Sequence, residues 1–170
     1  MDARGNRTEM VLAQFDIRYF NNHKLQVGKF ITPFSPENTR SSRSLSSVER
    51  YSGLNSIFLL PGLDTQYGMM FYGQFPRFEY YASITNGNGK ASANIRENND
   101  AKDFQGRLVY KVNDQLRFGG SLNYTDEASQ TLKLVDHTFN SFNEAKIYGE
   151  RVGYLLDFQY NRNPFLLRAE

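Results

Sequence analysis

The chain has 170 residues, the size of one ordinary domain, and 20 Lys and Arg against 18 Asp and Glu leave a net charge of +2. That balance is too mild for a dedicated nucleic-acid binder, and the absence of cysteine excludes disulfides, thiol catalysis and cysteine-ligated zinc or iron–sulfur sites. No run approaches the ~18 consecutive apolar residues of a membrane helix. Met1 to Arg7 are polar with no apolar h-region. No signal peptide is read there, so any export signal is expected to have been removed or to lie upstream.

Taken in order, the chain repeats with period two, the period of a strand. Val11, Ala13, Phe15, Ile17 and Tyr19 alternate with Leu12, Gln14, Asp16, Arg18 and Phe20. The runs Lys24–Thr32 and Asp64–Tyr72 are strand-like with looser alternation. Phe78, Tyr80, Ala82 and Ile84 alternate with Arg77, Glu79, Tyr81, Ser83 and Thr85, and Phe104 to Lys111 continues the pattern. Leu116 to Tyr124 and Arg151 to Tyr160 do the same, and a last run begins at Phe165. Sustained helical spacing is absent, with one short helical turn conceivable at Ser46–Leu54; the expectation is an all-β chain of about eight strands.

Connections sharpen this. Asn21–His23, Gly73–Pro76, Asn113-Asp114 and Asn161–Pro164 are short turns, whereas long segments follow Thr32, Asn86 and Tyr124. Strict alternation of short turns and long loops is what an antiparallel transmembrane β-barrel produces, and most strands reach the length that a tilted crossing needs. On that reading the apolar parity faces lipid. The polar parity, with Arg18, Arg77, Glu79, Arg107, Lys111, Arg117, Arg151 and Asp157, lines the lumen. Tyr19, Phe20, Tyr72, Phe75, Tyr124, Tyr148 and Tyr160 fall near strand ends, where interfacial girdles belong. A soluble amphipathic sheet with one wet face produces the same alternation.

The stretch Leu25-Gln26-Val27-Gly28-Lys29-Phe30-Ile31-Thr32-Pro33-Phe34-Ser35 resembles the L-x-V-G-x-F-x-x-P-F-S segment of the phosphate-selective porin O/P family of Gram-negative outer membranes. Glu49-Arg50 resembles the family's Glu-Arg pair, and Gly62–Gly68, Thr85-Asn86-Gly87 and Asp103–Leu108 are similar to its later strand segments, in the same order. The resemblance implies a sixteen-stranded barrel, usually a homotrimer, that passes small anions by diffusion. Residues 1–170 are then a partial porin domain, with 33–63 as the long extracellular loop that folds inward to constrict the pore.

A porin performs no covalent chemistry, so this reading expects no enzyme activity and no cofactor or metal. Its site is an electrostatic lining in which Arg and Lys favour anions. In the loop, Arg40, Arg43 and Arg50 stand among serines against Glu37 and Glu49; guanidinium forks and hydroxyls suit a phosphate-like anion. The candidate pore residues are these three with Arg18, Lys29, Arg77, Arg107, Lys111, Arg117 and Arg151. The expected partners are outer-membrane lipid and small anions such as phosphate. Two other readings stay open: a non-conducting eight-stranded outer-membrane barrel, whose interior side chains would fill, and a soluble β-sheet binding module.

Overall fold

The computed structural model describes residues 12–18, 21–39, 63, 65–87, 100–132 and 145–169. They form β1 (Ala13–Ile17), β2 (His23–Ile31), β3 (Thr65–Gln74), β4 (Phe78–Thr85), β5 (Asp103–Lys111), β6 (Leu116–Leu132), β7 (Ala145–Arg162) and β8 (Phe165–Ala169). All eight lie in one antiparallel sheet in the order of the chain, so each strand pairs only with its sequence neighbours. β1 and β8 are not paired with each other, and the sheet is open. No helix among the described residues is long and apolar enough to cross a membrane.

Side chains explain why the strands form. β-Branched and aromatic residues occupy alternate positions, and cross-strand pairs such as Phe104 with Tyr124 and Tyr72 with Tyr81 lock neighbouring strands at 6.5 and 5.5 Å between ring centres. The turns carry their own chemistry. Asn22 adopts φ 63°, which Asn tolerates. Asn113 Oδ1 accepts from the N–H groups of Gln115 and Leu116 at 2.9 and 2.8 Å, closing the β5–β6 hairpin. That hairpin turns over Val112–Gln115 rather than over Asn113-Asp114 alone.

The two faces are unlike, and in an unusual sense. Even-numbered positions of β7 point outward, with Tyr154 83% and Leu156 79% exposed. Along β5, Phe104, Leu108 and Tyr110 are exposed while Asp103, Gln105 and Arg107 are buried. Ser83, Thr85, Ser121, Asn123 and Thr125 are buried on the same side as Arg107. The covered face is polar and the bare face is apolar, the inverse of a sheet that packs on a hydrophobic core.

The covered face is concave. Phe34, three residues beyond β2, lies against Gly153 of β7 and belongs to a cluster with Leu63 and Leu155. Five strand spacings in a flat sheet would separate β2 from β7 by about 24 Å. Three residues reach about 10 Å, so the sheet must curl for this contact to form.

Two strands differ from the sequence reading. β6 and β7 run for 17 and 18 residues and stay paired out to Leu132 and Ala145, past an irregularity between Glu127 and Gln130. Periodicity fades beyond Tyr124 because the sequence from Thr125 to Thr131 is mostly polar. Tyr72 also differs: its register partners, Lys24 and Tyr81, place it on the covered face rather than in an outer girdle.

Gly28 sits opposite Gln14 at φ 125°, and a Cβ there would strike the Ala13 carbonyl oxygen. Gly28→Ala should therefore cost about 1–3 kcal/mol, seen as a lower urea midpoint with an unchanged slope; an unchanged midpoint contradicts this account of the β1–β2 junction.

Candidate functional site

Strand register gathers the charged residues of the covered face into rows. Tyr81, Arg107, Ser121 and Leu155 form one row across β4 to β7, and Glu79, Val109, Gly119 and Asp157 form the next. Lys111, Arg117, Gln159 and Arg168 continue across β5 to β8 towards the short turns. Arg107 spans two rows. Its Nη1 donates to Asp157 Oδ2 at 2.7 Å and to Ser121 Oγ at 2.7 Å, with both charged side chains buried. The pair joins β5 to β7 across β6, and it can do so because position 119 is glycine: a Cβ there would meet the Asp157 carboxylate and the Arg107 guanidinium.

The neighbouring charges are engaged as well. Lys111 Nζ lies 2.6 Å from Glu79 Oε1, and Tyr81 donates to Glu79 Oε2 at 3.1 Å. Arg117 Nη2 donates to Gln159 Oε1 at 2.5 Å. Towards the opposite end the lining becomes neutral: Ser83 donates to Gln105 Oε1 at 2.6 Å, and Gln105 Nε2 donates to Thr85 Oγ1 at 3.0 Å. Burying a charge or a hydroxyl without a partner is costly, which accounts for this density of contacts, although Thr125 Oγ1 and Asn123 Oδ1 are buried without a hydrogen bond.

The segment after β2 covers part of this face. Ser35 Oγ accepts from the N–H groups of Glu37 and Asn38 at 3.0 and 3.3 Å, and Asn38 Nδ2 donates to the Thr32 carbonyl at 3.0 Å. Ser followed by Pro is a favoured start for a helical turn, since Pro36 needs no N–H partner there. This turn, Pro33, Pro36, Glu37 and Thr39, forms one wall of a cavity of about 570 Å³. Glu79, Tyr81, Arg107, Arg117, Asp157, Gln159 and Arg168 form the other. Three guanidiniums thus face three carboxylates around it. A second cavity of about 450 Å³ opens towards the short turns, lined by Arg77, Lys111, Asp114 and Arg117 among others. There cations prevail, and Arg117 borders both spaces.

The candidate residues named from the sequence separate accordingly. Arg107, Lys111 and Arg117 come together on the covered face, and Arg77 joins the last two at the turn end. Arg151 lies half-buried on the same face, opposite Thr125. Arg18 is exposed just past β1, 3.9 Å from Asp16. Lys29 does not belong to the lining. Its register partner is Tyr67, it shares a parity with Leu25 and Val27, and its ammonium lies 5.4 Å from the Tyr67 ring. A lysine near a strand end can lay its stem on apolar surface in this way. Arg40, Arg43 and Arg50 fall outside the described residues.

Arg168 and Gly119 are participants that sequence reading passed over. The alternation that placed Gln159 inward also places Arg168, its register partner, inward. Gly119 carried no signal, because the ion pair crossing it joins strands two apart. Asp103 and Gly87 likewise meet at the lining, where a Cβ on Gly87 would touch the buried Asp103 carboxylate. None of the known protein families, curated proteins or solved structures matches the chain.

Asp157→Asn leaves Arg107 buried without its counter-ion and should cost about 3 kcal/mol of unfolding free energy. Gly119→Val should act in the same direction by wedging the pair apart, while the double change Arg107→Met with Asp157→Leu should recover most of the loss. Denaturant midpoints of the four proteins check this; equal midpoints for D157N and the parent contradict it.

Proposed function

We propose that this sheet is the wall of an outer-membrane porin, a passive conduit for small anions such as phosphate through a water-filled space lined by Arg and Lys. The single observation that carries the reading is the inverted polarity of the faces. Exposed Phe, Tyr, Leu and Met side chains cover one side, and a hydrogen-bonded ionic lattice lies on the concave other side. Lipid is the medium that such an outer face suits, and it admits strands only within a closed barrel, because every backbone group must be paired there. With β1 and β8 unpaired, the reading takes these strands as an arc of a larger barrel. The resemblance noted above suggests sixteen strands and a homotrimer, in the outer membrane of a Gram-negative bacterium.

The aromatic residues support the same placement. His23, Phe71, Phe75, Phe78 and Tyr80 cluster beside the Asn21–Asn22 and 75–77 turns, with His23 stacked on Phe71 and its Nδ1 2.7 Å from Tyr80 Oη. Rings with polar tips at strand ends suit the boundary between hydrocarbon and water. β6 and β7 exceed the 9–11 residues of a crossing, so their far ends extend past the bilayer as a paired ribbon.

The anion preference rests on the turn-side space. Arg117 donates to the neutral Gln159, and Arg77 lies beside it with Asp114 and with Lys111, whose charge is paired with Glu79. Fixed positive charge in a narrow water-filled path raises the local concentration of anions. No covalent step, cofactor or metal enters this function. The non-conducting eight-stranded barrel needs β1 and β8 to pair, and the soluble module needs a layer over the apolar face.

Reconstituted in planar bilayers under a KCl gradient, the full-length protein should conduct with a reversal potential on the anion side, and Arg117→Glu should move that potential towards the cation side. A protein that folds and inserts yet never conducts contradicts the function. Separately, Leu156→Arg should lower stability in lipid by about 2–4 kcal/mol if position 156 lies near the midplane; folding titrations in vesicles measure it, and a neutral effect contradicts the lipid-facing assignment.

A further inference from the structure

We infer that Phe34 is a pin that holds the segment following β2 against β7, and so sets the aperture of the passage. The inference rests on the porin reading only for that last consequence. The covered face is polar, and the only buried apolar cluster on it among the described residues is Phe34 with Leu63, packed against the half-buried Leu155. Phe34 stands three residues after the end of β2, and Leu63 two residues before the start of β3. Both ends of the connection between these strands therefore converge on one spot of β7, far across the curled sheet.

The spot is shaped for a ring. Gly153, opposite Asn123 in register, leaves the backbone of β7 bare, and a Cβ built there would lie 3.4 Å from Phe34 Cζ and 3.6 Å from Cε2. The Cζ and Cε2 edge of the ring approaches Gly153, and Leu155, its neighbour on that face, packs against the same cluster. Phe30, Met70 and Val109 are also buried on this face, but the cluster with Leu63 and Leu155 is the one that joins the segment after β2 to β7, and burying the phenyl ring there fixes the chain that carries it. That chain is the Ser35–Thr39 turn, whose Pro36, Glu37 and Thr39 form the near wall of the larger cavity. Phe34 is thus a positioning residue: it contacts no solute and acts by fixing the wall that does.

Because the natural chain has no cysteine, a single thiol reports on the seat. In the full chain, Leu155→Cys places a thiol beneath the Phe34 ring, and its rate of reaction with a small methanethiosulfonate is measured. Adding Phe34→Ala should speed that reaction about tenfold to a hundredfold, the population shift that corresponds to unburying one phenyl side chain. Adding Phe34→Leu should keep most of the protection, which a merely unfolded sheet would not do. Gly153→Val, with Phe34 intact, should open the seat as Phe34→Ala does. Equal rates with and without the ring overturn the pin. Where the pin holds, single-channel current through the Phe34→Ala protein should be larger or noisier than that of the parent. A steady, parent-like current would overturn its control of the aperture, and a parent that never conducts overturns the porin reading while leaving the pin intact.

Discussion

The constraint on which this structure depends is that the side of the sheet turned away from solvent is the polar one. A strand alternates its side chains strictly, so giving one face to Phe, Leu and Tyr gives the other to whatever remains. In most sheets the apolar set is buried and the polar set meets water at no cost. Here the curl covers Asp103, Gln105, Arg107, Ser121 and Thr125 instead. The covered charges above all then need partners, because desolvating a charge without one costs several kcal/mol. The Ser83–Gln105–Thr85 chain, the Lys111–Glu79 bridge and the Arg107–Asp157 pair follow from that requirement.

Those pairs stitch strands that the backbone alone would leave free to shear. Arg107 reaches from β5 over Gly119 to β7, so the lattice is cross-linked beyond nearest neighbours. A wall of this kind is stiff and carries fixed charge, whereas mobile lysines on a wet surface would be screened within about 8–10 Å at ordinary ionic strength. Mutual neutralisation is the cost. Around the larger cavity the charges balance, and preference for anions is left to the turn end, where Arg117 shares its hydrogen bond with a neutral amide.

Much of the architecture was legible in the alternation. The eight strands, their sequential antiparallel order and the inward parity of Glu79, Arg107, Lys111, Arg117 and Asp157 follow from period two and turn residues alone. The outer reach of β6 and β7 was not legible, because the mostly polar sequence from Thr125 to Thr131 has no hydrophobic period. Lys29 and Tyr72 escaped for a related reason. In β2 and β3 the alternation is loose, and register with Tyr67 and Tyr81, rather than residue type, decides their faces. Gly119 and the Phe34 seat depend on contacts between strands distant in sequence, which no local pattern encodes. Arg40, Arg43 and Arg50 lie outside the described residues, so the candidate lining rests on the strands and on the first residues of the long loop, Pro33 to Thr39.

The central claim is that hydrocarbon lies against the apolar face of these strands, and β7 offers the most direct measurement. Single cysteines introduced in turn at positions 151 to 158 of the otherwise cysteine-free chain, labelled with a small fluorophore and reconstituted in vesicles, can be quenched either by nitroxide-bearing lipids or by aqueous iodide. The account predicts lipid quenching at Val152, Tyr154, Leu156 and Phe158 and no lipid quenching at Arg151, Gly153, Leu155 and Asp157, with iodide reaching only the second set, alternating without exception. Iodide quenching at every position, or no alternation between the two quenchers, would contradict it.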